Sequence, residues 1–232
     1  INDFVKGFAL LLKPQGVATF EFPHLMKLIE HKQFDTIYHE HFSYLSFRTV
    51  NQIFSANGLS VFDVEELDTH GGSLRVFAQR ADSEKQAVSG EVAELLARET
   101  AAGMDRVDYY RGFQEQANKV KNDFLAFLLE TAREGKKVAG YGAAAKGNTL
   151  LNYAGVRPDL LPYVVDKNPN KQGKYLPGSR IPIVPEDHLR EQRPDYVFIL
   201  PWNLKMEIMA QLSYIREWDG KFVTAVPCLD IL

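Results

Sequence analysis

Tyr38-His39-Glu40-His41 lines up four consecutive side chains that can donate, accept or move a proton near neutral pH, and the stretch Phe42-Ser43-Tyr44-Leu45-Ser46 follows at once. An imidazole titrates at about pH 6.5, and burial or a neighbouring carboxylate readily shifts it. A glutamate beside it can orient the ring or balance its charge, and a tyrosine hydroxyl can hydrogen-bond to a developing oxyanion. Any one of these groups alone reads as part of a solvated loop. All four together in an aromatic setting point to proton-transfer chemistry.

A second stretch offers a different chemistry. Lys137-Val138-Ala139-Gly140-Tyr141-Gly142 reads as a strand ending in glycines, and Ala143-Ala144-Ala145-Lys146-Gly147-Asn148-Thr149 continues into a helix. Small residues at such a turn let a phosphate approach backbone N–H groups at the helix N-terminus. Lys146 and Asn148 favour that use, and Lys167 and Lys171 add cations after the next strand. Asp166 closes that strand, where a nucleotide-binding fold holds a ribose hydroxyl. The pattern Gly140-x-Gly142-x-x-Ala145 is not a clean dinucleotide fingerprint, and it equally describes a tight turn packed through small residues.

The elements that must position these groups follow from periodicity. Residues 1–12 carry apolar side chains at helical spacing and stop at Lys13-Pro14-Gln15-Gly16. Strands are predicted over 17–22, 59–64 and 73–79, with His70-Gly71-Gly72 turning into the last. A helical turn is predicted over 25–29 and a helix over 49–57, closed by Gly58. From 83 to 134 the composition becomes Ala, Glu, Leu, Lys and Arg without proline, which predicts helices broken near Gly103 and Gly112. Beyond Lys136 come strands over 161–166, 196–201 and 222–226 with a helix over 203–212, an alternation that predicts a parallel, doubly wound sheet.

The 232 residues allow one large or two modest domains, and the 45% apolar and 25% charged balance is that of a globular chain. A net charge of -3 argues against nucleic-acid or anionic-membrane partners, which favour clustered positive charge. The single Cys228 forms no internal disulfide and supplies no zinc cluster, and a cytoplasmic setting fits it. His39, Glu40 and His41 are too close in sequence to share a metal, so none is expected. The chain opens at Ile1 inside a periodic helix, as expected of part of a longer protein.

Four motifs occur in order: Glu21-Phe22-Pro23, Tyr38-His39-Glu40-His41-Phe42-Ser43-Tyr44, His70-Gly71-Gly72-Ser73-Leu74-Arg75, and Gly140-Tyr141-Gly142-Ala143-Ala144-Ala145-Lys146-Gly147-Asn148. Over nearly its whole length the chain resembles the S-adenosylmethionine-dependent C-methyltransferases that act on nucleotide-linked 4-keto-6-deoxyhexoses. The resemblance implies an α/β chain. Residues 1–80 would be the back half of a class I methyltransferase domain, 81–134 a helical connector and 135–232 a Rossmann-like domain for the nucleotide sugar. It also implies methylation at C3 through an enolate, with Tyr38, Glu40 and His41 as the catalytic group and either Glu40 or His41 as the base.

Substrate contacts would come from His39, Ser43, Tyr44, Gly72, Ser73, Arg75, Tyr141, Gly142, Ala143, Lys146, Asn148, Thr149, Asp166 and Lys171. Glu21 and Pro23 would face the cofactor. The chain lacks the family's cysteine cluster and the glycine-rich loop that grips S-adenosylmethionine, so by itself it is expected to bind that cofactor poorly and to be inactive. An NAD(P)-binding oxidoreductase built on the Gly140 turn and Asp166, or a non-catalytic nucleotide-sugar-binding module, are the alternative readings. The sugar, the nucleotide and the oligomeric state are left open.

Overall fold

The computed structural model describes residues 1–83 and 85–232, and the chain divides into two compact units. One comprises Ile1–His31 and Phe42–Gly112, the other Lys32–His41 and Phe113–Leu232. The base-rich loop therefore belongs to the same unit as the glycine turn.

The first unit runs α1 (Asn2–Leu11), β1 (Val17–Pro23), α2 (Leu25–Glu30), α3 (Phe47–Ala56), β2 (Leu59–Leu67), β3 (Ser73–Arg80) and α4 (Gly90–Ala102). Its three strands lie in the order β1-β3-β2, with β3 antiparallel to both neighbours. Alternation along β3 sends Leu74, Val76 and Ala78 into the core, where Phe20 and Phe22 of β1 also pack. Helix α3 buries Phe47, Val50 and Phe54 along one stripe, and α1 and α4 add Val5, Val92 and Leu95.

Helix α3 begins two residues before its predicted start, because its first turn is capped twice. The Ser46 hydroxyl accepts from the Thr49 N–H at 3.1 Å. Glu99, fully buried on α4, accepts from the N–H groups of Phe47 at 2.7 Å and Arg48 at 2.8 Å. The same carboxylate meets Nε2 of buried His24 at 2.7 Å. Burial pushes the Glu99 pKa up, but His24 and the two N–H donors outweigh it and hold the acid below the usual glutamate range.

The second unit holds α5 (Phe113–Arg133), β4 (Val138–Tyr141), α6 (Ala145–Ala154), β5 (Val164–Val165), β6 (Ile183–Val184), α7 (Asp187–Gln192), β7 (Tyr196–Ile199), α8 (Lys205–Gln211), β8 (Lys221–Thr224) and β9 (Asp230–Ile231). The strand order is β6-β5-β4-β7-β8-β9. Every pairing is parallel except β8 with β9, so the sheet is mixed rather than wholly parallel. Ala139, Val164, Val165, Val197 and Phe198 are buried in near-continuous runs, as expected for parallel strands covered on both faces. On α5, Phe124 and Leu128 face this core, and the Phe124 ring lies 4.4 Å from that of Phe198.

Two expectations need correction here. The strand predicted over 161–166 shrinks to Val164–Val165, since Pro162 brings no N–H to the ladder. The helix predicted from 203 to 212 becomes a 3-10 turn at Trp202–Leu204 followed by α8. The edge strand β6 lies between Pro182 and Pro185, and its Ile183 exchanges hydrogen bonds with Gly173 and Lys174. The predicted breaks hold: Gly103 and Gly112 take φ of +86° and +85° between α4 and α5. No helix among the described residues is long and apolar enough to cross a membrane.

Glu99→Ala strands a buried histidine and two helix N–H groups together, so a loss of about 3 kcal/mol is expected in urea unfolding. Because the folded acid titrates below its ordinary 4.5, its contribution is complete above that pH and fades as pH falls through the lowered value. Glu99→Gln should therefore flatten the acid limb of the stability profile.

Candidate active site

The loop of the second unit is a series of closed turns. Within Phe34–Thr36, the Thr36 N–H and hydroxyl both donate to the Gln33 carbonyl, at 3.1 and 2.7 Å. The Ile37 N–H reaches the Phe34 carbonyl at 3.0 Å, and the His41 N–H reaches the Tyr38 carbonyl at 2.9 Å. This curvature returns the His41 ring to its own chain, with Nδ1 2.8 Å from the Thr36 carbonyl oxygen. A carbonyl only accepts, so Nδ1 carries the proton and the neutral ring keeps its basic lone pair on Nε2. The Tyr38 ring stacks on the same imidazole at 4.1 Å between centroids. Glu40 and His39 point outward, with side chains 72% and 89% exposed and 4.0 Å apart. The arrangement thus singles out His41 as the ring held by the backbone.

Lys146, singled out in the sequence, joins a cluster with Asp35, Trp202 and Asn203, which were not. Asp35 is fully buried, and its Oδ2 accepts from the Trp202 indole N–H at 2.7 Å. Lys146, on the first turn of α6, is also buried; its ammonium donates to Asn203 Oδ1 at 2.9 Å and sits 4.4 Å above the Trp202 ring centre. Burial lifts Asp35 to about 6 against the opposing pull of the indole N–H and the Lys146 charge. Burial likewise lowers Lys146, with the Asp35 charge opposing. The only sequence signal for Asp35 is an acid between Phe34 and Ile37, three residues before Tyr38.

The glycine turn is knitted from within. Asp166 Oδ2 accepts from the Ala143 N–H at 2.8 Å and the Lys171 ammonium at 3.2 Å, while Oδ1 accepts from the Asn168 N–H at 2.8 Å. Lys171 also donates to the Ala143 carbonyl at 2.8 Å. Gly142 has φ +89°, and a Cβ there would stand 2.6 Å from Pro201; one on Gly147 would stand 2.6 Å from Leu200. Close packing of β4 and α6 against the end of β7 therefore accounts for these glycines. Thr149 bonds back to the Ala145 carbonyl at 3.2 Å, and Asn148 accepts from Asn152 at 3.2 Å. The Tyr141 hydroxyl contacts Glu186 and Gln211, and burial pushes it to about 12.

The remaining predicted residues belong to the first unit. Glu21 and Arg75 pair across β1 and β3 at 3.0 Å, Thr69 donates to the other Glu21 oxygen at 3.0 Å, and Arg75 reaches Glu65 at 3.4 Å. The Arg75 guanidinium, followed by Thr69, holds the Glu21 carboxyl below the usual range. Pro23 lies opposite Ser73, whose buried hydroxyl donates to the Thr69 carbonyl at 2.9 Å. Gly72 and Ser73 line a cavity of about 400 Å³ with His24, Lys27, His31 and Asp68. Ser43 is exposed and Tyr44 half-buried. Among the described residues no group of three His, Cys, Asp or Glu is placed to hold a metal ion.

Residues 68–227 match the profile of the family described as "C-methyltransferase C-terminal domain". The chain belongs to that family. It is 38% identical over 227 residues to the C-methyltransferase NovU of Streptomyces niveus, an alignment covering 98% of this chain and 54% of that protein. The chain thus spans about half the length of the curated relative it matches. The family match takes in Gly72–Arg75, the Gly140 turn, Lys146 and Trp202, and the alignment with the relative extends over nearly the whole chain.

Asp35 makes stability depend on pH in the opposite sense to Glu99. Its folded value of about 6 lies above the ordinary 3.8, so between those limits the folded form holds the proton more tightly. Stability conferred at low pH is lost as pH rises through about 6. Asp35→Asn should flatten that fall in thermal melts of the chain.

Proposed function

We propose that this chain carries the proton-abstracting loop and the nucleotide-sugar-binding unit of a C-methyltransferase acting at C3 of a nucleotide-linked 4-keto-deoxysugar. The observation that carries the reading is the His41 Nδ1–H bond to the Thr36 carbonyl, which leaves Nε2 as the basic atom of a neutral ring. A ketone at C4 acidifies the C3 hydrogen. Nε2 of His41 takes that proton, the C3–H electron pair moves into the ring carbon–carbon bond, and the negative charge settles on the C4 oxygen. Tyr38, stacked on His41, supplies a phenol to the enolate oxygen, and exposed Glu40 balances the imidazolium.

The second unit is read as Rossmann-like because its order, β6-β5-β4-β7-β8, runs outward in both directions from the first strand of the unit. The turn after that strand is where the sugar's diphosphate would lie, near Lys146, Asn148 and Lys171, with Gly142 and Ala143 supplying backbone. Nicotinamide binding is the weaker reading, because the Asp166 carboxylate that would hold a ribose is engaged by Ala143, Asn168 and Lys171.

S-adenosylmethionine would supply an electrophilic methyl group for the enolate carbon. The described residues do not fit that cofactor: the first unit has no glycine-rich turn after β1, and Glu21 is occupied by Arg75 and Thr69. The chemistry attributed to this chain therefore ends at the enolate. Titration calorimetry of the 232-residue chain with S-adenosylmethionine is expected to show no binding, and micromolar affinity would refute that reading of the first unit.

The full-length enzyme tests the base. In deuterated water, with a nucleotide-linked 4-keto sugar and the demethylated cofactor product, the C3 hydrogen should exchange. His41→Asn should slow exchange and methylation together by about 10²–10⁴-fold, as expected for loss of a general base. Glu40→Gln should cost less if His41 takes the proton and more if Glu40 does. Near-normal rates in both variants would refute the assignment.

A further inference from the structure

None of these steps uses Asp35, yet it is a fully buried carboxylate in the same loop. The side chain is 0% exposed, Oδ2 is fixed by the Trp202 N–H at 2.7 Å, and Oδ1 has no hydrogen-bond partner among the described residues. A buried carboxylate held this way is a poor source of stability, because an apolar side chain of similar size usually does as well or better. What the acid provides is direction. It is the middle residue of the Phe34–Thr36 turn, and the next carbonyl along the chain is the one that receives the His41 Nδ1–H. Lys146 supplies a compensating charge, itself set by Asn203 and the Trp202 face.

We propose that Asp35 is a positioning residue: anchored by Trp202 and Lys146, it fixes the Thr36 carbonyl on Nδ1 of His41 and so selects the tautomer whose Nε2 is basic. This deepens the proposed function and rests on His41 being the base. The line of action runs Trp202 and Lys146 to Asp35, through one peptide unit to Thr36, and on to the ring. A catalytic group displaced by a fraction of an ångström loses much of its effect, so such support is expected behind a base.

The test uses the 232-residue chain itself and needs no turnover. With ¹⁵N-labelled histidine, long-range ¹H–¹⁵N correlations report which ring nitrogen of each neutral imidazole is protonated, and His41→Asn identifies the His41 signals. Wild type should show His41 with Nδ1 protonated. In Asp35→Asn the ratio of the Nδ1–H to the Nε2–H form should fall by about five- to tenfold, the equilibrium equivalent of one hydrogen bond. Trp202→Phe, which keeps a ring but removes the donor, should shift it in the same direction. Leu151→Ala, a core truncation in the same unit, should lower the melting temperature and leave the ratio unchanged.

An unchanged ratio in folded Asp35→Asn and Trp202→Phe overturns the proposal; if Asp35→Asn does not fold, Trp202→Phe alone decides. A shift of equal size in Leu151→Ala overturns it too, since general loosening would then explain the effect. The two readings fail separately. If exchange at C3 survives His41→Asn while the ratio shifts, the ring is positioned but is not the base; if exchange is lost but the ratio is fixed, the base stands and Asp35 has no part in it.

Discussion

A carboxylate taken out of water must be met by donors, and in this chain that demand ties together segments far apart in sequence. Glu99 gathers His24 and the first N–H groups of α3; Asp35 takes the indole of Trp202; Asp166 binds the Ala143 turn to Lys171. Each acid fixes a bend rather than a face. Hydrophobic burial on β3, α3 and α5 accounts for the adherence of the elements, but it has no direction and cannot say where a carbonyl points. The carboxylates supply that direction where the chain turns: at the start of α3, in the Phe34–Thr36 turn and after β4.

How much of this could be read from the chain itself depended on length scale. Amphipathic helices such as α3 and α5 and the alternating strand β3 announce themselves by period, because their burial is set by one face over many residues. Strands β6 and β9 have two residues each and exist because neighbours supply a ladder, so no local pattern marks them, whereas β5 lies within the strand predicted over 161–166. Pro162 likewise shortens a run that looks uniformly extended.

The site shows the same division. Tyr38, His39, Glu40 and His41 stood out by residue type, yet type alone could not rank Glu40 against His41, since ring orientation depends on a carbonyl five residues back. Asp35, Trp202 and Asn203 escaped notice because each is ordinary until the fold brings them together across 167 residues. The glycines of the Gly140 turn matched a phosphate-binding pattern, while a Cβ on Gly140, Gly142 or Gly147 would stand 2.7, 2.6 or 2.6 Å from Val164, Pro201 or Leu200. A turn can serve both purposes, but the packing requirement alone is enough to exclude a side chain at Gly142 and Gly147.

The prolines that bracket β6 carry a consequence for how the protein behaves in crowded solution. An unpaired outer strand is a template on which another chain can add, the first step of edge-to-edge aggregation. Here that row holds only Ile183 and Val184, Pro182 and Pro185 bring no amide hydrogen to either end, and Gly173 and Lys174 already occupy the bonds of Ile183. The margin of a largely apolar sheet is thereby made unreceptive to recruitment of further strands, while the interior strands β4 and β7 keep their ladders on both sides.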